Sequence, residues 1–213
     1  MKSGKITAVH RDVKNKHRYH FYIGDELIFS VHEDILVKYQ LAKGMEIDDG
    51  FVREILLAEE EHRAFLLALR YLGIRPRTSR QVITYLQEKG FPQEAAENIV
   101  NRCKQMGYLD DQAFAKQWVS ERLRLKPRSP MMLRMELKQR GIDKETAEGA
   151  MSTVTRDDEL AAARGLVQKK LRRFKGRLDW NEEQKILAML YRKGFSQSVI
   201  QEIRRELKES DPG

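Results

Sequence analysis

Three segments of this chain carry one signal, a basic residue followed by a glycine and a large apolar residue: Lys89-Gly90-Phe91, Arg140-Gly141-Ile142 and Lys193-Gly194-Phe195. The glycines lie 51 and 53 residues apart, and regular self-similarity of this kind points to tandem structural units. The positions eight and four before each glycine are apolar in every copy: Val82 and Leu86, Leu133 and Leu137, Ile186 and Leu190. Those one, six, nine and thirteen after it are apolar as well: Phe91, Ala96, Ile99, Cys103; Ile142, Ala147, Ala150, Val154; Phe195, Ile200, Ile203, Leu207. The spacing predicts one helix ending at each glycine and a second beginning just beyond it. At the junction, glycine adopts the left-handed cap conformation that costs a residue with a Cβ about 1–2 kcal/mol. Asp143 and Ser196 are placed to cap the second helix, and Pro92 in the first copy is expected inside the first helical turn.

A leading helix precedes each pair: Glu59 to Leu72 closed by Gly73, Asp111 to Leu125 closed before Pro127, and Asp158 to Lys175 closed by Gly176. Further helix starts are read at Ser79, at Ser129-Pro130 and at the Asp179-Trp180-Asn181-Glu182 capping box. The chain is therefore expected to be mostly α, a tandem array of three three-helix units spanning residues 59–110, 111–156 and 157–213.

Residues 1–58 read differently. Period-two alternation over Lys5 to Arg11, Arg18 to Ile23 and Leu27 to Val31 predicts short strands, the last two joined by a tight turn at Gly24-Asp25-Glu26. After His32 the period becomes helical through Ile35, Leu36 and Tyr39, ending near Lys43-Gly44, and another helix begins near Asp48 or Asp49. So small a β-rich and helical segment is marginal alone and should pack on the helices that follow.

The longest apolar runs fall far short of the roughly 20 residues needed to span a bilayer, and no signal-like apolar core opens the chain. One cysteine excludes an intramolecular disulfide and suits a reducing compartment; the cytoplasm is the expected location and a monomer the expected state. Cys103 occupies a repeat position filled by Val154 and Leu207 elsewhere and reads as a core thiol.

Charge is distributed unevenly. Residues 1–61 carry 9 basic and 12 acidic side chains against 31 and 20 in residues 62–213, so the longer part alone is +11. Basic clusters recur where each leading helix ends: Arg70, Arg75, Arg77 and Arg80; Arg122, Arg124, Lys126 and Arg128; Lys169, Lys170, Arg172, Arg173, Lys175 and Arg177. Cations in a last helical turn complement the macrodipole by about 0.3–1 kcal/mol each, but these clusters run on into loops beyond its reach. A basic face for a polyanionic partner is the expectation.

Catalytic patterns are missing: the chain has no phosphate-cradling glycine loop, nucleophile elbow or His-Glu-x-x-His motif, so no enzymatic activity and no cofactor are expected. The pair His17 and His20 invites a metal reading, but strand alternation would send the two to opposite faces, and no metal site is expected. The residues that open the second helix of each pair, Pro92-Gln93-Glu94, Asp143-Lys144-Glu145 and Ser196-Gln197-Ser198, are acidic or neutral, which argues against sequence-specific reading of a DNA groove. Aromatic residues make up 8% of the chain and are not interleaved with the basic clusters, which speaks against a base-stacking platform.

The run from Gly107-Tyr108-Leu109-Asp110-Asp111 through Gln112-Ala113-Phe114-Ala115, then Lys126-Pro127, then Glu136-Leu137-Lys138-Gln139-Arg140-Gly141-Ile142, resembles the central signature of the RecX family. Upstream, Tyr85-Leu86-Gln87-Glu88-Lys89-Gly90-Phe91 is similar to that family's first repeat. The resemblance covers about residues 60–155, extends more loosely over the third repeat, and likens the β-rich start to an extension found in some members. Where a glycine commonly follows Lys-Pro in the family, this chain has Arg128-Ser129-Pro130. The resemblance implies a negative regulator of the RecA recombinase. Such a protein binds in the groove of the RecA filament on single-stranded DNA and modulates ATPase, strand exchange and the coprotease activity of the SOS response. The residues themselves leave open an alternative, a general DNA-binding helical-repeat protein acting without RecA.

Overall fold

In the computed structural model the described residues are 3–125, 128–172 and 179–209. They group into two compact units: Met1–Arg75 with Val82–Tyr108, and Pro76–Gln81 with Leu109–Gly213.

The first unit opens with β1 (Gly4–Lys5), β2 (Ala8–Arg11), β3 (Arg18–Ile23) and β4 (Glu26–His32), followed by α1 (Glu33–Lys38), β5 (Glu46–Ile47) and α2 (Asp49–Ile74). Strands β2, β3 and β4 form an antiparallel sheet in that order, while β1 pairs with β5. Ile23 pairs with Glu26, leaving Gly24-Asp25 as a two-residue turn, with Gly24 at φ 63 as such turns require. Phe21, Phe29 and Val31 point inward and meet Ile35, Leu41, Val52 and Ile55 in one core. The sheet thus buries its apolar face on helices, as so small a sheet must.

Two expectations change here. Helix α1 stops at Lys38, well before Lys43-Gly44, because Gln40 takes a positive φ of 50 and the backbone turns there. The two helices expected from Asp48 and from Glu59 are one, α2, of 26 residues and capped by Asp48, whose carboxylate accepts the Phe51 N–H at 2.7 Å. Nothing between Asp49 and Leu72 breaks a helix, and the helix serves two cores at once. Val52, Ile55 and Ala58 face the β-rich segment, whereas Ala64, Phe65 and Ala68 are buried further along. Gly73 lies inside the helix rather than closing it.

After α2 come α3 (Ser79–Glu88) and α4 (Gln93–Gln105), then α5 (Asp111–Leu125), α6 (Pro130–Gln139) and α7 (Lys144–Met151), then α8 (Arg156–Leu171), α9 (Trp180–Arg192) and α10 (Gln197–Glu209). The second and third triplets each enclose a core: Ala115, Val119, Leu133, Leu137, Ile142 and Ala150 in one, Leu160, Ala163, Val167, Ile186, Leu190 and Ile203 in the other. Cys103 is buried, as its repeat position implies, and burial pushes its thiol pKa up.

The three glycines make one motif three times. Gly90, Gly141 and Gly194 have φ of 91, 79 and 76, and the next residue's N–H reaches back to the carbonyl five earlier: Phe91 to Leu86 and Ile142 to Leu137 at 3.1 Å, Phe195 to Leu190 at 3.2 Å. The glycine N–H groups bond Gln87, Lys138 and Tyr191 carbonyls, completing a paired left-handed cap. The next helix starts from Asp143 in the second copy, whose carboxylate accepts the Thr146 N–H at 2.8 Å, but from Pro92 in the first, which sits at the cap itself with no side-chain bond. Helix α8 begins earlier than Asp158, at a reciprocal capping box between Thr155 and Asp158. Thr78, not Ser79, caps α3: its hydroxyl accepts the Gln81 N–H, and Gln81 Oε1 accepts the Thr78 N–H.

A candidate polyanion-binding surface

Within the second unit a repeated joint sets successive elements against each other. Thr78, fully buried, donates its hydroxyl to the Arg140 carbonyl at 2.6 Å. Ser129, 1% exposed, donates to the Lys193 carbonyl, and its hydroxyl also caps α6 by accepting the Met132 N–H. Two residues after each hydroxyl, Arg80 and Met131 press on the following glycine. A Cβ added at Gly141 would come under 3.0 Å from Arg80 Cβ and Cγ, and one at Gly194 under 3.0 Å from Met131 Cβ, Cγ and Sδ. Glycine is therefore required at these two turns for close approach as well as for its φ.

The basic clusters lie where the leading helices α2, α5 and α8 end and in the segments that follow. In the first cluster Arg70, Arg75 and Arg80 are exposed and Arg77 is half-buried. In the second, Arg124 is exposed, while Arg122 and Arg128 are half-buried and turn toward Glu136. Arg122 Nε donates to Glu136 Oε2 at 2.8 Å, and Arg128 Nε lies 3.5 Å from Glu136 Oε1. The same carboxylate accepts the Trp118 indole N–H at 3.0 Å, and Arg140 Nη1 donates to the Glu136 carbonyl at 3.1 Å. Lys126 lies outside the described residues, as do Arg173, Lys175 and Arg177 in the third cluster. The described cations there, Lys169, Lys170 and Arg172, are all exposed at the end of α8. Among the described residues, Arg124, Lys169, Lys170 and Arg172 have no carboxylate partner.

The separation of aromatic and basic residues expected from the sequence does not hold in space. Trp118 lies one helical turn before Arg122, and the guanidiniums of Arg122 and Arg140 lie over its ring at 4.2 and 3.6 Å from the centroid. Arg102 similarly covers Phe65 at 3.8 Å, and Arg63 covers Phe91 at 5.1 Å. The i to i+4 spacing of Trp118 and Arg122 could have revealed the first contact; Arg140 comes from another helix and could not. These rings organise guanidiniums, each worth about 0.5–2 kcal/mol, and the Trp118 face is occupied by arginine. Two arginines, Arg122 and Arg128, share the one Glu136 carboxylate.

His17 and His20 have separate partners. His17 Nδ1 lies 2.6 Å from Glu33 Oε1, whereas His20 meets Ser30 Oγ at 2.6 Å and Asp12 Oδ2 at 2.8 Å. While His17 stacks on His32 with centroids 5.9 Å apart, the closest histidine rings are those of His32 and His62, with centroids 4.5 Å apart and Asp34 beside them. Thirty residues separate them in sequence, so no local spacing could have paired them. No helix among the described residues is long and apolar enough to cross a membrane.

Comparison with known proteins gives a consistent picture. Four family models match in order: the regulatory protein RecX N-terminal domain at residues 4–48, and the first, second and third RecX three-helix domains at residues 64–103, 110–151 and 157–203. A regulatory protein RecX from Halalkalibacterium halodurans is 34% identical across 92% of this chain and 76% of the relative. One from Lactobacillus delbrueckii subsp. bulgaricus is 35% identical across 91% and 72%. Among solved structures, a crystal structure of regulatory protein RecX superposes with a TM-score of 0.83 at 29% identity, covering 95% of this chain and 99% of that one. RecX from Lactobacillus salivarius gives a TM-score of 0.65 at 25% identity, covering 71% and 98%.

Proposed function

The chain belongs to the RecX family of regulatory proteins, and from that premise we propose that it restrains the RecA recombinase by lying along the RecA filament on single-stranded DNA. The observation that carries the reading is the set of exposed cations without carboxylate partners where α5 and α8 end: Arg124, Lys169, Lys170 and Arg172. Cations held out in solvent on a rigid helical scaffold steer association with a polyanion and are screened by salt. The partner surface is acidic filament protein together with the phosphates of the bound strand. Occupying the groove that a second DNA must enter opposes strand exchange, and preference for one filament state shifts ATP hydrolysis and coprotease activity with it. The protein acts as a binding regulator rather than a catalyst, and its site is a surface rather than a cleft.

The test is RecA-dependent ATP hydrolysis and strand exchange on single-stranded DNA, with and without this protein. Both are expected to slow as the protein approaches stoichiometry with the filament; unchanged rates would overturn the reading. A DNA-binding module acting without RecA is the second reading, favoured by the same cations. It requires tight binding to bare single strands with a log–log salt slope near −0.7 per phosphate contact and no gain from RecA.

A further inference from the structure

His32 closes β4 and caps α1 by accepting the Asp34 N–H on Nδ1 at 3.2 Å, while His62 sits near the middle of α2. Packing of the sheet and α1 on α2, through Val31, Ile35, Ile55 and Ala58, brings the two rings and the Asp34 carboxylate into one cluster. His62 Nε2 lies 3.4 Å and His32 Nδ1 3.6 Å from Asp34 Oδ2, and the three ligand atoms all lie within 4.8 Å of one another. Those separations exceed the roughly 2.7–3.2 Å of an N–H···O hydrogen bond. They approach the edge of a tetrahedron around an ion whose bonds to nitrogen and oxygen are about 2.0–2.2 Å, which is roughly 3.3–3.6 Å.

A second observation concerns His62 itself. Its side chain is 10% exposed, and Nε2, the atom aimed at Asp34, has no hydrogen-bond partner. Buried polar nitrogens are almost always satisfied, so an unpartnered one calls for an occupant. Asp34 is 63% exposed, which opens one side to an arriving ion and leaves room for water to complete its coordination. Behind the cluster, Glu59 accepts the His32 N–H at 2.7 Å and pairs with Arg18 at 3.0 Å, fixing the backbone that carries His32.

We propose that His32, Asp34 and His62 form a divalent-cation site of the zinc class, with two imidazoles and one carboxylate joining the β4–α1 corner to α2. The ion takes the single Nδ1 lone pair of His32 from the Asp34 N–H. Two nitrogens and one oxygen suit Zn2+ better than Mg2+ or Ca2+, which prefer all-oxygen shells. Three protein ligands make the ion exchangeable, and its binding would tighten the β-rich segment on the helix shared with the first repeat.

The experiment uses the full chain stripped with chelator, titrated with Zn2+ by calorimetry and with Co2+ by visible absorption, and melted with and without Zn2+. The expected result is one Zn2+ per chain at micromolar affinity or tighter, intense visible bands from Co2+ in a near-tetrahedral field, and a melting temperature raised by several degrees. Asp34→Asn and His62→Asn should each weaken binding at least tenfold, whereas His10→Gln should leave it unchanged. Asp34 is exposed, so its variant folds and decides the matter even if the His62 variant is destabilised. No saturable binding by the parent chain, or equal affinity in the parent and Asp34→Asn, would overturn the proposal and assign any Zn2+ uptake to scattered surface histidines.

Discussion

Gly90 and Gly141 hold the same place in the same cap, with φ of 91 and 79, yet their surroundings differ. A Cβ at Gly90 would meet nothing within 4 Å, whereas one at Gly141 would collide with Arg80, and one at Gly194 with Met131. The first turn needs glycine only for its backbone conformation; the other two also receive a neighbouring helix start whose buried hydroxyl bonds the preceding carbonyl. One sequence signal therefore covers two physical roles. Which applies depends on what packs against the turn, and that is settled by residues about 60 positions away.

The largest expected effect breaks this comparison directly. Gly141→Ala and Gly194→Ala combine left-handed strain of about 1–2 kcal/mol with overpacking of about 1–3 kcal/mol, whereas Gly90→Ala carries the strain alone. Urea denaturation should rank Gly90→Ala as clearly the mildest; equal losses at all three would mean the joints are not close-packed. Next, Arg122→Glu would set a like charge beside half-buried Glu136 and is expected to cost about 2 kcal/mol, while Arg124→Glu, exposed and unpaired, should stay within about 0.5 kcal/mol. Thermal melts of the two variants check this, and they separate the cations that hold the fold from those free to bind.

Removing the joint hydroxyls sharpens the comparison further. Thr78→Ala and Ser129→Ala each lose a helix cap and a buried bond to the neighbouring turn, for roughly 1–3 kcal/mol, against about 1 kcal/mol for Thr155→Ala, which caps α8 without crossing to another turn. The smallest effect is one of pH. Hydrogen bonds from Thr146 hold the Asp143 carboxyl below its ordinary 3.8, and bonds from Thr155 do the same for Asp158. The unfolded chain then takes up these protons first on acidification. The stabilisation is complete above the ordinary value and disappears as pH falls through the lowered one. Melting temperatures followed from pH 6 down to about 3 should show Asp143→Asn flattening part of the acid loss; an unaltered profile would deny the cap its role. The first copy, started by Pro92, has no titrating cap at that position.

Much of this architecture was legible because it rests on local physics. Apolar periodicity and the cap glycines marked the helices, and α5 spans Asp111–Leu125 as its pattern indicates. The long α2 was misread as two helices because its first half packs on strands and its second on helices, and the change of buried face looked like a boundary. Side-chain partnerships were less legible. Arg122 and Arg128 stand in the same run as Arg124, but only the fold brings Glu136 from α6 to neutralise part of that cluster. The same holds for Trp118, roofed by an arginine 22 residues away, and for the His32–His62 pair, which requires the sheet to sit on α2.

In the proposed function, recognition rests on the exposed cations without carboxylate partners where α5 and α8 end. Binding of the protein to RecA-coated single-stranded DNA, compared with bare single-stranded DNA at equal salt, tests this most directly when run in parallel with a variant carrying Arg124→Glu, Lys169→Glu, Lys170→Glu and Arg172→Glu. The parent chain is expected to bind the coated strand at least tenfold more tightly than the bare one, and the folded variant to lose that binding. Equal affinity for both strands, or undiminished filament binding by the variant, would contradict it.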